Sequence, residues 1–181
     1  MAPASLEQLV EAARQQQRWA ERALYERTMP WVERLSFRLM SNRAEAEDVM
    51  QESYLQAFSS LSQLRENGRF EAWLRRIVVG TAHKRARRIR WWLRGGRVDP
   101  EVEHLVATDP SPERQAELSR ALAVVQAMPL DLRTPFVLRH VEGMTIPEIA
   151  EATAWSERTV KRRIQDADER LKKRGVRLGP G

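Results

Sequence analysis

Arg158, Lys161, Arg162 and Gln165 recur at steps of three and four residues. Helical pitch puts such positions on one side of a helix. Guanidinium and ammonium groups meet phosphates, and guanidinium or amide ends also read base edges, so the chemistry on offer is recognition of nucleic acid. A second constellation, FEAWLRRIVVGTAHKRARRIRWW over residues 70–92, interleaves aromatic rings with cations. Bases stack on rings while cations hold phosphates, a combination suited to single-stranded or melting DNA. A third set has the opposite sign. Asp48, Gln51, Glu52 and Leu55 fall at i, i+3, i+4 and i+7. In a basic protein, an acidic stripe ending in an exposed leucine is a docking face for a basic partner, or simply a solvated face.

Covalent chemistry has little to work with. The chain has no cysteine, which excludes disulfides, thiolate metal sites and thiol nucleophiles. His83, His104 and His140 are far apart and none pairs with another at ligand spacing. No metal-spaced carboxylate cluster, activated nucleophile or phosphate-cradling loop supports an enzyme, and no cofactor is expected. The 31 Lys and Arg against 25 Asp and Glu leave a net charge of +6, which favours a polyanionic partner. The start, MAPASLEQLVEAARQQQR, carries acids and glutamines where a signal peptide needs an apolar run. Nothing approaches the ~18 consecutive apolar residues of a membrane span, so a cytoplasmic location without membrane contact is expected.

The elements that must position these groups are helices, because apolar residues recur at helical period and no run alternates with period two. In RAEAEDVMQESYLQAFSSL, Ala46, Met50, Ser53, Ala57 and Leu61, with Val49, Tyr54 and Phe58, form the buried side. After a polar turn from Gln63 to Arg69, Phe70, Trp73, Leu74, Ile77 and Val78 make a core stripe, flanked by Arg76, Lys84, Arg87 and Arg88. Near the end, Thr145 and Glu148 form a capping box with Pro147 in the first turn, opening a short helix from Ile146 to Thr153. Gly143 ends the helix before it, where positive φ is wanted. Ser156 caps a second helix from Glu157 to about Lys173. Two helices joined so closely cross steeply, as in a helix-turn-helix, with Ile146, Ile149, Ala150, Val160 and Ile164 inside. Ala154 holds the turn position where glycine is common.

Between two helical blocks, residues 6–93 and 111–171, lies GGRVDPEVEHLVATDPSP. Five acids and no Lys or Arg stand between Val98 and Glu113, directly after the basic run Lys84, Arg85, Arg87, Arg88, Arg90, Arg94 and Arg97. A sign change beside Gly and Pro marks a domain boundary. The expected division is 1–93, an acidic linker at 94–112, mobile in the free protein, and 113–181.

Taken together, AEDVMQESYLQAF, FEAWLRRIVVGTAHKRARR and MPLDLRTPFVLRHVEGMTIPEIAEATAWSERTVKRRI, in this order and spacing, resemble the extracytoplasmic-function (group IV) sigma factors of the sigma-70 family. The likeness runs from about Leu24 to Lys172. It implies an all-α protein of two small domains, sigma-2 and sigma-4. Asp48, Gln51, Glu52 and Leu55 would dock on the clamp helices of the largest catalytic subunit of RNA polymerase. The helix from Phe70 to Arg88 and its preceding turn would recognise and melt the minus-ten element, through Arg65, Asn67, Phe70, Arg76, Gly80, Lys84, Arg87 and Arg88. A flipped base would enter a pocket built partly by residues 63–69. Arg158, Thr159, Lys161, Arg162 and Gln165 would read the minus-thirty-five element, with the flap of the second subunit as a further partner. The linker would thread toward the RNA-exit channel, and an anti-sigma factor would mask these surfaces. Three positions depart from the family: Gly80 where Asn is frequent, Lys84 where Asp is frequent, and Asp166 where a basic residue is usual.

A stand-alone DNA-binding regulator would use the same helix-turn-helix, and the acidic stripe separates the two readings. Two modules on a mobile linker are also expected to bind duplex promoter weakly without polymerase, since ordering them opposes binding.

Overall fold

Local capping signals set where the helices begin. Ser5 and Gln8 close a capping box, with Gln8 N–H donating to Ser5 Oγ at 3.2 Å and Ser5 N–H donating to Gln8 Oε1 at 2.9 Å. This box opens α1, Leu6–Arg14. Gln16, at φ 59°, turns the chain into α2, Arg18–Leu39. Asn42 Oδ1 accepts from Glu45 N–H at 2.8 Å and starts α3, Arg43–Ser59. Two single 3₁₀ turns, Leu61–Gln63 and Asn67–Arg69, lead into α4, Phe70–Leu93. The second block supplies α5, Leu130–His140, α6, Ile146–Thr153, and α7, Glu157–Lys173. This computed structural model describes residues 4–40, 42–93 and 123–175, with side chains in α4 through Ile89. Among them there is no strand, and the fold is all-α. The acidic linker and the side chains of Trp91 and Trp92 lie outside the described residues.

Apolar stripes spaced at helical period require α1–α4 to bury one face each. Leu24, Val32, Leu35, Leu39, Val49, Phe70, Leu74 and Val78 are fully or almost fully buried. Each such side chain contributes roughly 1.5–3 kcal/mol on leaving water. Tyr54 sits among them, its hydroxyl 2.9 Å from that of Thr28, and burial pushes its pKa up to about 12. In the second block Phe136, Leu138, Ile149, Val160 and Leu171 form the interior between α5, α6 and α7.

The two blocks pack against each other. Helix α6 packs on α4, and α5 meets both α2 and α4. Arg133, 5% exposed, anchors this junction. Its guanidinium donates to the carbonyls of Leu39 (2.9 Å) and Met128 (2.9 Å), and also to that of Gln126. Burial lowers its pKa to about 10. Arg38 Nη1 meets Glu142 Oε1 at 2.5 Å and His83 Nε2 lies 2.9 Å from Thr134 Oγ1.

Candidate nucleic-acid and polymerase interfaces

The helix-turn-helix is built by side chains that satisfy helix ends. Thr145 N–H donates to Glu148 Oε2 at 2.7 Å, and Glu148 N–H reaches Thr145 Oγ1 at 3.5 Å. The backbone N–H of Thr145, and then its hydroxyl, which also donates to Glu148 Oε2 at 2.7 Å, hold the Glu148 carboxyl below the usual carboxylate range. Ala154 takes the left-handed turn conformation at φ 57°. Ser156 Oγ accepts from Thr159 N–H at 3.2 Å to start α7. From this frame Arg158, Lys161, Arg162 and Gln165 project into solvent, beside an equally exposed Asp166. Glu157 lies 3.8 Å from the Lys161 ammonium. Thr159 is half-buried, and its hydroxyl sits 2.9 Å from that of Ser156, so it serves the cap. Arg163 turns inward, stacking 3.8 Å over the Trp155 ring, and takes no part in this face. Ile149 and Val160 are buried, while Ile146, Ala150 and Ile164 are half-buried around the helix crossing.

On α4, the helical step carries Arg76, Gly80, Lys84 and Arg87 onto one open groove of about 540 Å³, which Trp73 and Gln56 also line. Trp73 is half-buried, tilted against Phe70 with ring centroids 6.1 Å apart, so it packs on the core and still presents an edge to the groove. Gly80 leaves space here: a Cβ at that position would meet nothing within 4 Å. Arg88 is exposed but does not line the groove. In the preceding turn Arg65 is exposed, and Asn67 donates its side-chain amide to Glu11 Oε2 at 3.3 Å. Phe70 corrects the sequence reading. It has no exposure, so it supports the turn from beneath and cannot touch DNA.

On α3, Asp48, Gln51 and Leu55 are exposed, Leu55 at 73%, and Glu52 is half-buried. Sequence reasoning missed Arg85, which crosses from α4 to pair with both Glu45 and Asp48. Burial opposes the charge of Arg85, but the Glu45 bond and the Glu45, Asp48 and Glu52 carboxylates outweigh it and raise its pKa. It also missed Arg69, whose Nη2 lies 2.7 Å from both carboxylate oxygens of Glu151. Periodicity finds a helix face but not the distant carboxylate opposite it. Among the described residues no group of three or more His, Asp or Glu side chains could hold a metal ion. Nor, among them, is any helix long and apolar enough to cross a membrane.

A capped helix-turn-helix joined to a helical bundle with a cationic groove and an acidic stripe defines a two-part, DNA-directed helical protein. Comparison with known proteins makes this specific. Residues 24–92 match the family described as Sigma-70 region 2, and residues 118–171 match Sigma-70, region 4. The chain is 32% identical over 157 residues to the RNA polymerase sigma-H factor of Pseudomonas aeruginosa, covering 77% of each. It is 31% identical over 180 residues to the ECF RNA polymerase sigma-E factor of Haemophilus influenzae, covering 90% of this chain and 91% of that one. Against the ECF RNA polymerase sigma factor SigE of Mycolicibacterium smegmatis, identity is 33% over 145 residues, 78% of this chain but 56% of the relative. The fold is similar to that of CnrH solved with the cytosolic domain of CnrY, with TM-score 0.63, 22% identity and coverage of 93% and 95%. The chain belongs to the sigma-70 family, as an alternative sigma factor of the extracytoplasmic-function type that serves promoter recognition and transcription initiation.

Proposed function

We propose that the chain is a group IV sigma factor in which three faces divide the work without catalysis of their own. Asp48, Gln51, Glu52 and Leu55 on α3 hold the polymerase clamp helices. Arg76, Gly80, Lys84 and Arg87 in the α4 groove, with Arg88 beside them and Arg65 and Asn67 on the turn, take the minus-ten element. Arg158, Lys161, Arg162 and Gln165 on α7 read the minus-thirty-five element, with Thr159 holding the start of that helix in place. The working division is 1–93 for sigma-2, 94–112 for the linker and 113–181 for sigma-4, the last also meeting the flap. The cytoplasm is the compartment where these partners are found. An anti-sigma factor is a further partner, because another structure of similar fold (TM-score 0.67, 18% identity) is that of the sigma factor RpoE in complex with the anti-sigma factor NepR from Bartonella quintana.

The observation that carries this reading is the pair of exposed, oppositely charged faces on α3 and α7 of one chain. The test is run-off transcription with purified core polymerase on genomic fragments, which should give discrete promoter-dependent transcripts. Reversing the charge at Asp48 and Glu52 together should abolish binding to core polymerase and leave DNA binding by α7 intact. Full promoter action by that variant with no need of polymerase contact would replace this reading with a stand-alone regulator.

A further inference from the structure

A short helix braces the minus-ten turn from the side. Helix α1, Leu6–Arg14, lies before residue 24, where the match to Sigma-70 region 2 begins. It packs on α2 and on the 3₁₀ turn Asn67–Arg69, with Leu9, Val10 and Ala13 as its buried face. Its polar contacts fall near the two ends of the connection from α3 to α4. Arg14 Nε donates to the Leu61 carbonyl at 3.4 Å, where that connection begins. Glu11 Oε2 accepts from Asn67 Nδ2 at 3.3 Å, where it ends. Glu7 stands over the next residue, since a Cβ on Gly68 would come within 3.0 Å of its Oε1.

Glu11 is itself held on α1. Gln15 Nε2 donates to its Oε1 at 3.3 Å, and Arg14 Nη1 lies 4.0 Å from its Oε2. An ionised carboxylate only accepts hydrogen bonds, whereas an asparagine amide has one donating and one accepting end. Glu11 therefore selects which end of Asn67 it takes. The amide nitrogen faces α1, and the carbonyl oxygen is the end left for a base. Cytosine and adenine carry an exocyclic amine that donates to such an oxygen, while thymine carries a carbonyl that does not.

We propose that Glu11 is a positioning residue for base recognition. It orients Asn67 so that the minus-ten turn presents an acceptor and favours a base with an exocyclic amine over one with a carbonyl in the same place. This rests on the assignment of Asn67 to the minus-ten contacts above. The residue that sets the preference acts only through Asn67 and does not touch DNA.

Forked promoter DNA with a single-stranded non-template minus-ten element tests this without a contribution from melting. The promoter is one found by run-off transcription, and each minus-ten position in turn carries cytosine or uracil, which exchange an amine for a carbonyl at the same ring carbon. Binding by reconstituted holoenzyme is measured. At one position wild type should bind cytosine roughly fivefold tighter than uracil, and Asn67→Ala should bring that ratio to about one. Glu11→Lys replaces an acceptor with a donor, so the amide should turn over and the ratio at that position should invert in favour of uracil. Glu11→Gln satisfies either amide orientation and should remove most of the preference. In the Asn67→Ala background no Glu11 variant should move the ratio, although the lysine raises affinity for both bases through its charge. Glu11 is exposed, so these variants keep the fold, and unchanged affinity for core polymerase checks it. A ratio that Asn67→Ala removes but Glu11→Lys leaves at its wild-type value overturns the brace and keeps Asn67 as a DNA contact. Ratios that Asn67→Ala leaves unchanged at every position overturn the minus-ten role of Asn67, and the brace with it. A wild-type preference for uracil at the position sensitive to Asn67 overturns the amide orientation.

Discussion

Ala154 carries a Cβ into a left-handed turn at φ 57°, a conformation that glycine adopts without steric cost. Ala154→Gly should therefore stabilise the helix-turn-helix by about 1 kcal/mol, read as a shift in urea midpoint with unchanged slope. A loss of stability would mean the alanine methyl packs usefully. Gly80 shows the converse. Glycine inside α4 costs about 1 kcal/mol relative to alanine, and a Cβ there meets nothing within 4 Å. Gly80→Ala should raise stability by about that amount while narrowing the groove beside Lys84 and Arg76, so promoter opening by the reconstituted holoenzyme should slow. Equal opening rates would show that the groove does not need the space. For Lys161, salt titration of holoenzyme binding is the deciding measurement. Lys161→Ala should lower the slope of log K against log salt by about one if its ammonium meets a phosphate. These positions were readable in the sequence because backbone conformation and helix spacing are local. Phe70 was read in two ways, as part of the core stripe by its spacing and as a minus-ten contact by resemblance, since the same aromatic-beside-cation pattern describes both a stacking platform and a core side chain. Burial decides between them, and burial depends on what packs above.

Caps decide where elements begin, and the Thr145–Glu148 box is the clearest case. Its bonds lower the Glu148 pKa, chiefly that from the Thr145 backbone N–H. A carboxyl whose folded pKa lies below its unfolded value contributes stability that is complete above the ordinary glutamate range and disappears as pH falls through the folded value. Wild type should thus lose its advantage over Glu148→Gln as pH is lowered below that range, seen in paired thermal melts. A constant difference across pH would assign the cap no electrostatic part. Helix α3 illustrates what periodicity reveals and what it omits. The alternation of Val49, Ser53 and Ala57 with Asp48, Gln51, Glu52 and Leu55 separates inner from outer face, as the structure shows. The outer acids also hold Arg85 of α4, 37 residues beyond Asp48, and no helical period reaches that far. On the proposed reading, a polymerase docking on α3 would meet a stripe already partly neutralised from within.

At the scale of the molecule, the junction between blocks depends on Arg133. It is a buried cation whose guanidinium serves three backbone carbonyls, one of them in α2. Replacing it with methionine keeps the aliphatic bulk but leaves the Leu39, Gln126 and Met128 carbonyls without this donor, a loss of about 3 kcal/mol. Urea unfolding should register that loss. A change below about 0.5 kcal/mol, within the ordinary surface range, would mean that solvent takes over all three carbonyls. The amino-acid sequence by itself determined the helical class, the cap-turn-cap of α6 and α7, and the faces of like charge, because those follow from interactions within a few residues of chain. Tertiary structure alone decided that Phe70 is shut away from DNA, that Arg85 shares the acidic stripe, that Arg69, Arg38 and His83 face the second block, and that Arg133 reaches back to the first. Those pairings join residues 51 to 104 positions apart, and such contacts form where separately stable helices happen to fit, a matter of three-dimensional shape that no local pattern encodes.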